Sequence, residues 1–124
     1  MLDIKKWMTK VTDVLNPQYR SVTGSYGITL ALVKRCGLVT LTMSQSPVSE
    51  IPKGSWVQIG TIPEGYRPYL VYNSLVCDNN TSVSTKSTME TRIYSDGRVM
   101  LWAFADGNVN NQLYQTVTYV GGAA

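Results

Sequence analysis

The sequence predicts a mainly β protein: an antiparallel β-sandwich or small barrel of about seven strands, preceded by one short N-terminal α-helix. Three observations carry that reading. Apolar residues recur at helical spacing over residues 2–15 and at a period of two from residue 28 onward. Turn-forming clusters return about every eight to twelve residues. Charged residues make up only 15% of the 124, well below the ~25% of an average domain, so Thr, Ser and Asn must cover an uncharged β-surface. The length suits one domain. The expected divisions are 1–16, a helix serving as stem or trimerisation segment; 17–27, a linker or neck; 28–120, a β-sandwich head; and 121–124, a frayed C-terminus.

The helix reading rests on Ile4, Trp7, Val11 and Val14 at the a and d positions of two heptads, with Met8 and Leu15 adjoining. Asp3 is placed to cap the start, and Asn16-Pro17 stops the helix. A helix this short is marginal alone in water, so its stripe must pack on its own domain or on copies of itself. The bundle, a trimer, is the expectation here, through Ile4, Trp7, Met8, Val11, Val14 and Leu15.

Residues 17–27 mix Pro17, Gly24 and Gly27 with Ser, Thr and Tyr, a neck with room for a short extended segment. Ile28, Leu30 and Leu32 then alternate with polar or small neighbours, as do Val39, Leu41 and Met43, predicting a hairpin that turns near Cys36-Gly37. Ser44 to Ser55 reads as loop anchored by Ile51. Val57, Ile59 and Thr61 alternate in a strand that meets Pro63-Glu64-Gly65, where the chain turns. A strand is expected from about Pro68 to Cys77, an exposed polar loop over 78–87, and a strand from Thr88 to Tyr94. Asp96-Gly97 suits a type I′ turn. Val99 to Ala105 returns with apolar residues on both faces, which predicts burial on both sides or a subunit contact. A second polar loop covers 106–112, and Gln115 to Val120 is the last strand.

Composition excludes several classes. The sequence has no histidine, hence neither the commonest general base nor the commonest metal ligand. Cys36 and Cys77 have no zinc spacing and read as small buried apolar residues. No metal site and no cofactor are expected. The net charge of +3 comes without a basic stripe, which argues against nucleic acid. No apolar run is long enough to span a membrane, and no signal peptide is visible.

Ile59-Gly-Thr-Ile-Pro-Glu-Gly-Tyr-Arg-Pro68 and Tyr94-Ser-Asp-Gly-Arg-Val99 resemble segments of the C-terminal head domains of bacteriophage tail-fibre and baseplate receptor-binding proteins. The matching positions are Gly60, Pro63, Gly65, Tyr66, Arg67 and Pro68, then Ile93, Asp96, Gly97 and Val99, and the resemblance covers about residues 28–120. It implies a trimeric β head on a helical or fibrous stem that binds host cell-surface saccharide. It places the protein at the virion tail tip, made in the bacterial cytoplasm, touching other tail or baseplate proteins.

Saccharide binding needs an aromatic face and a few polar groups for hydroxyls. The expected ligand-binding residues are Trp102, Asp106, Asn108, Asn111 and Tyr114 around one loop, Asp78 and Asn80 in the other, and Arg92 on a strand face. Glycan cleavage would need paired carboxylates. Glu50, Asp78, Glu90 and Asp106 are the acids left for it, in no motif that pairs them, and a Ser-His-Asp triad is impossible. No catalytic residue is assigned. The alternatives to an adhesin are a purely structural baseplate or fibre component and a glycan-cleaving tail enzyme.

Overall fold

The computed structural model describes residues 3–79, 88–104 and 112–122. It is mainly β, with one helix, α1 (Ile4–Leu15), and eight strands among the described residues: β1 (Gln18–Thr23), β2 (Thr29–Arg35), β3 (Leu38–Gln45), β4 (Trp56–Thr61), β5 (Tyr72–Asn79), β6 (Thr88–Ile93), β7 (Arg98–Ala103) and β8 (Gln112–Val120). No helix is long and apolar enough to cross a membrane among these residues.

All strand pairs are antiparallel, and hydrogen bonds link the strands in the order β1-β2-β3-β8-β5-β6-β7-β4. The ladder is continuous yet works as two layers. β8 pairs with β3 from Leu38↔Val120 to Gln45↔Leu113, but with β5 only from Cys77↔Tyr114 to Asn79↔Gln112. That short join is a corner where the sheet folds over, which makes the arrangement sandwich-like. Leu30, Leu32, Leu41, Met43 and Val117 face inward from one layer, and Ile59, Met89, Ile93, Val99 and Leu101 from the other. Complete burial of such side chains contributes about 1.5–3 kcal/mol each. One polar bond crosses the core, from Thr91 Oγ1 to Gln115 Oε1 at 2.9 Å.

The period-two alternation places its residues on the inward side as expected, and Ile51 is the buried loop anchor. Cys36 (φ +52) and Gly37 (φ +78) make the two-residue hairpin turn. Asp3 caps α1 through the Lys6 N–H.

Several expectations need correction. The segment read as a neck contributes β1, fully paired to β2 from Gln18↔Lys34 to Thr23↔Thr29. As an edge strand with little to bury, it carries almost no apolar alternation. The strand expected from Pro68 begins at Tyr72 instead. Tyr69, Leu70 and Val71 are 66%, 68% and 50% exposed. Asp78 and Asn79, expected in a loop, end β5. β4 does not pair with the strand that follows it but with β7, with a bulge at Ile59. The Asp96-Gly97 turn is not type I′. Only Gly97 has positive φ, and Gly97 N–H donates to Tyr94 O while Tyr94 N–H donates to Arg98 O, the three-residue loop with a glycine bulge. Cys36, read as buried, is exposed at its hairpin tip.

The segment Ile62–Tyr69 ties the layers together. Ile62 N–H donates to Gly97 O at 2.7 Å, and Arg67 Nε to Ile62 O at 2.8 Å, so the two motifs of the resemblance touch. Tyr119 Oη donates to Tyr66 O at 2.6 Å and Lys34 Nζ to Gly65 O at 2.8 Å. Tyr69 N–H donates to Val120 O, and Gly122 N–H to Arg67 O. The segment thereby closes the Val120 end of β8, opposite the end that pairs with β5.

Candidate functional site

The outward side of the β5-β6-β7-β4 layer groups aromatic and hydrogen-bonding side chains around Trp56, Trp102 and Arg92. Strand alternation puts Met89, Thr91 and Ile93 of β6, and Val99, Leu101 and Ala103 of β7, in the core. Their alternates must then point out. Antiparallel register lines up Trp56, Trp102 and Glu90 in one row and Gln58, Met100, Arg92 and Asn73 in the next. Trp56, Trp102, Arg92 and Glu90 are half-buried, whereas Gln58 and Asn73 are exposed.

Trp56 and Trp102 meet edge to face, with ring centroids 5.6 Å apart at 63°. The Arg92 guanidinium lies 4.4 Å from the centroid of the Trp56 ring. Such a contact contributes about 0.5–2 kcal/mol, more as it is desolvated. Asn73 Oδ1 accepts from Arg92 Nε at 2.9 Å, and Glu90 Oε1 stands 3.9 Å from its other end. The Tyr94 hydroxyl is 3.5 Å from Arg92 Nη1. Arg92 is therefore held over an indole, fixed at its edges by Asn73 and Tyr94. Arg98 sits 4.4 Å over the Tyr94 ring and pairs with Asp96 at 2.9 Å. The Arg98 backbone N–H, with its guanidinium, holds the Asp96 carboxyl below the usual carboxylate range. Beside this platform, an open cleft of about 640 Å³ runs between the free edges of β1 and β4, lined by Val22, Thr23, Gly24, Gln58 and Gly60. Gln58 borders both.

This arrangement has the chemistry for binding. Two indoles offer flat apolar surface, and Arg92, Asn73, Gln58 and Tyr94 offer donors and acceptors around it. Of the acids considered for cleavage, Glu90 faces Arg92 and Glu50 is exposed. No group of three or more metal-ligating side chains occurs among the described residues.

Of the expected ligand-binding residues, Trp102 and Arg92 are brought together, joined through Trp56. Asp78 and Tyr114 lie on β5 and β8, where the pairs Cys77↔Tyr114 and Asp78↔Leu113 set their backbones at one corner. Asn80, Asp106, Asn108 and Asn111 lie outside the described residues, as do the side chains of Asp78 and Tyr114. Trp56 was missed. Its signal was a second tryptophan at an outward strand position, but only the β4–β7 register sets it beside Trp102. Of the expected oligomerisation residues, Ile4, Trp7, Met8 and Val11 are 63%, 55%, 56% and 36% exposed, so the β domain does not cover these four. The side chains of Val14 and Leu15 lie outside the described set.

Comparison with protein-family models and with curated proteins finds no match for this chain.

Proposed function

We propose that this protein is a non-enzymatic bacteriophage tail receptor-binding protein that adheres to host cell-surface saccharide as a homotrimer. The observation that carries the reading is the Trp56–Trp102–Arg92 platform. A sugar's C–H face stacks on indole, while its hydroxyls take hydrogen bonds from Arg92, Asn73 and Gln58. The Trp56–Trp102 row also lies toward the Asp78–Leu113 corner, away from the end where α1 joins β1. That suits a head held on a stem. Each site binds weakly, and three sites per trimer on many-copied tails raise avidity through effective concentration. The protein works at the virion tail tip, after synthesis in the bacterial cytoplasm, against other tail or baseplate proteins. It uses no cofactor, nucleic acid or membrane insertion.

A glycan array tests this. Wild-type protein is expected to bind a subset of glycans, and Arg92→Ala is expected to weaken that binding at least tenfold, about 1.4 kcal/mol. No binding at millimolar glycan would refute adhesion. That result would favour a purely structural baseplate or fibre role, which the exposed α1 stripe also suits. Shortening of the glycan on incubation would refute the non-enzymatic reading.

A further inference from the structure

The cleft between β1 and β4 lies beside the aromatic row, and Gln58 belongs to both. β1 and β4 end the strand order, so each leaves one edge without a ladder partner among the described residues. The two edges meet at Gly24. A Cβ there would stand 2.2 Å from Ile59 O, so glycine is what lets the end of β1 lie against β4. Around that contact an open cleft of about 640 Å³ remains, within the roughly 300–1,000 Å³ of small-molecule sites.

The lining has one chemistry. Thr23 and Ser25 on one rim, with Gln58 and Thr61 on the other, bring three hydroxyls and an amide, and none of the lining side chains is ionisable. Gln58 Nε2 donates to Thr61 Oγ1 at 3.0 Å, which leaves Gln58 Oε1 as an acceptor and the Thr61 hydroxyl as a donor. The free backbone N–H and C=O groups of two strand edges add further donors and acceptors. Such a surface matches hydroxyl and amide groups and offers no counter-charge to a carboxylate, phosphate or ammonium group.

We propose that this cleft is a second sugar subsite, so that the ligand of the platform is an oligosaccharide of at least two units whose second sugar is uncharged. The inference rests on the saccharide reading of the Trp56–Trp102–Arg92 platform. Gln58 follows Trp56 by two residues on the same side of β4, about 6.8 Å along the strand. That is on the scale of the step between linked sugar rings, so a chain stacked on Trp56 reaches the cleft past Gln58. A peptide strand is the other ligand that two free edges admit. Every neighbouring pair in the order of eight is antiparallel, so β1 and β4 run in opposite directions and an inserted strand is antiparallel to only one of them. The edges also line the cleft only over 22–25 and 58–61, short of the about five or six residues of a usual strand.

The test is a tryptophan fluorescence titration with a series, one to four sugars long, of a glycan that wild-type protein binds on an array. Thr23→Arg and Ser25→Arg each put a long charged side chain into the cleft from an exposed position outside the platform. Wild type is expected to bind the disaccharide at least tenfold more tightly than the single sugar. Both variants are expected to lose that gain while keeping the single-sugar affinity and the β circular dichroism. Affinity that does not rise with length, or a gain that both variants keep, overturns the cleft subsite and leaves the platform standing. A gain found only when the second sugar carries a carboxylate or phosphate overturns its uncharged character. No glycan bound on the array overturns the saccharide reading and this inference with it. If one variant unfolds, the other decides.

Discussion

Gly97→Ala tests the junction between the two motifs. Gly97 has φ +96, and a Cβ added there would stand 2.5 Å from Ile62 O and 2.6 Å from Arg67 Nε. Both atoms are already engaged, Ile62 O by Arg67 Nε, and Gly97's own carbonyl by Ile62 N–H. The backbone strain of alanine at such φ costs about 1–2 kcal/mol. Displacing Ile62 and Arg67 weakens one neutral and one charge-assisted hydrogen bond, about 1 and 1.5–3 kcal/mol. The sum, about 3.5–6 kcal/mol, is a large part of the 5–15 kcal/mol typical of a domain. Urea denaturation is expected to show a lower midpoint with unchanged slope. Gly65→Ala supplies the control. Gly65 has φ +89, but its Cβ would meet nothing within 4 Å, so only the strain of about 1–2 kcal/mol is expected. Equal losses for the two variants, or a Gly97→Ala loss below about 1 kcal/mol, would refute the view that the motifs lock each other.

Three further outcomes are expected. Burial pushes the Tyr119 phenol well above its ordinary 10.0, so its proton stabilises the fold fully below that pH. Above about pH 10 the unfolded chain ionises first, and this group's contribution falls by about 1.4 kcal/mol per pH unit. Tyr119→Phe should lose about 0.5–1.5 kcal/mol near neutral pH, with the Tyr66 carbonyl left unpaired, yet lack that alkaline limb. Parallel urea midpoints across the alkaline range would contradict this. Trp7→Ala with Val11→Ala should reduce the trimer's mass in light scattering while β circular dichroism persists, because both side chains are exposed in the single chain. Arg92→Ala should cost about 0.5–2 kcal/mol of stability at most, through the lost Trp56 contact, so its loss of glycan binding can be read on folded protein.

The strands with clean alternation were legible because each buries one full side. Leu30 and Leu32, then Val39, Leu41 and Met43, face the core as their spacing says. β7, apolar on both sides, buries Val99, Leu101 and Ala103 but leaves Met100 and Trp102 half-buried and Phe104 exposed, so the burial on both sides that its composition predicts is not complete in the single chain. β1 was less legible, since an edge strand with exposed Gln18, Arg20 and Ser21 has no apolar period to read. Tyr69-Leu70-Val71 misled in the opposite direction. Three apolar residues before Tyr72 look like strand, yet they lie exposed at the turn into β5. Within the candidate site, Trp102 and Arg92 could be nominated from residue type and strand face, while Trp56, equally outward, gains its place only from the β4–β7 register.

The sequence alone determined the local grammar: a capped amphipathic helix stopped by Asn16-Pro17, strands of period two, and turns at Cys36-Gly37, Pro63-Glu64-Gly65 and Asp96-Gly97. These follow from φ/ψ preferences and side-chain alternation, which act between near neighbours. Only the tertiary structure decided that β4 crosses to β7, that Ile62–Tyr69 closes the end of β8, and that Arg92 lies on Trp56. Those choices depend on which buried faces and backbone groups satisfy one another across many intervening residues. No local period encodes them, because every antiparallel strand with an apolar side offers the same ladder to each of the others.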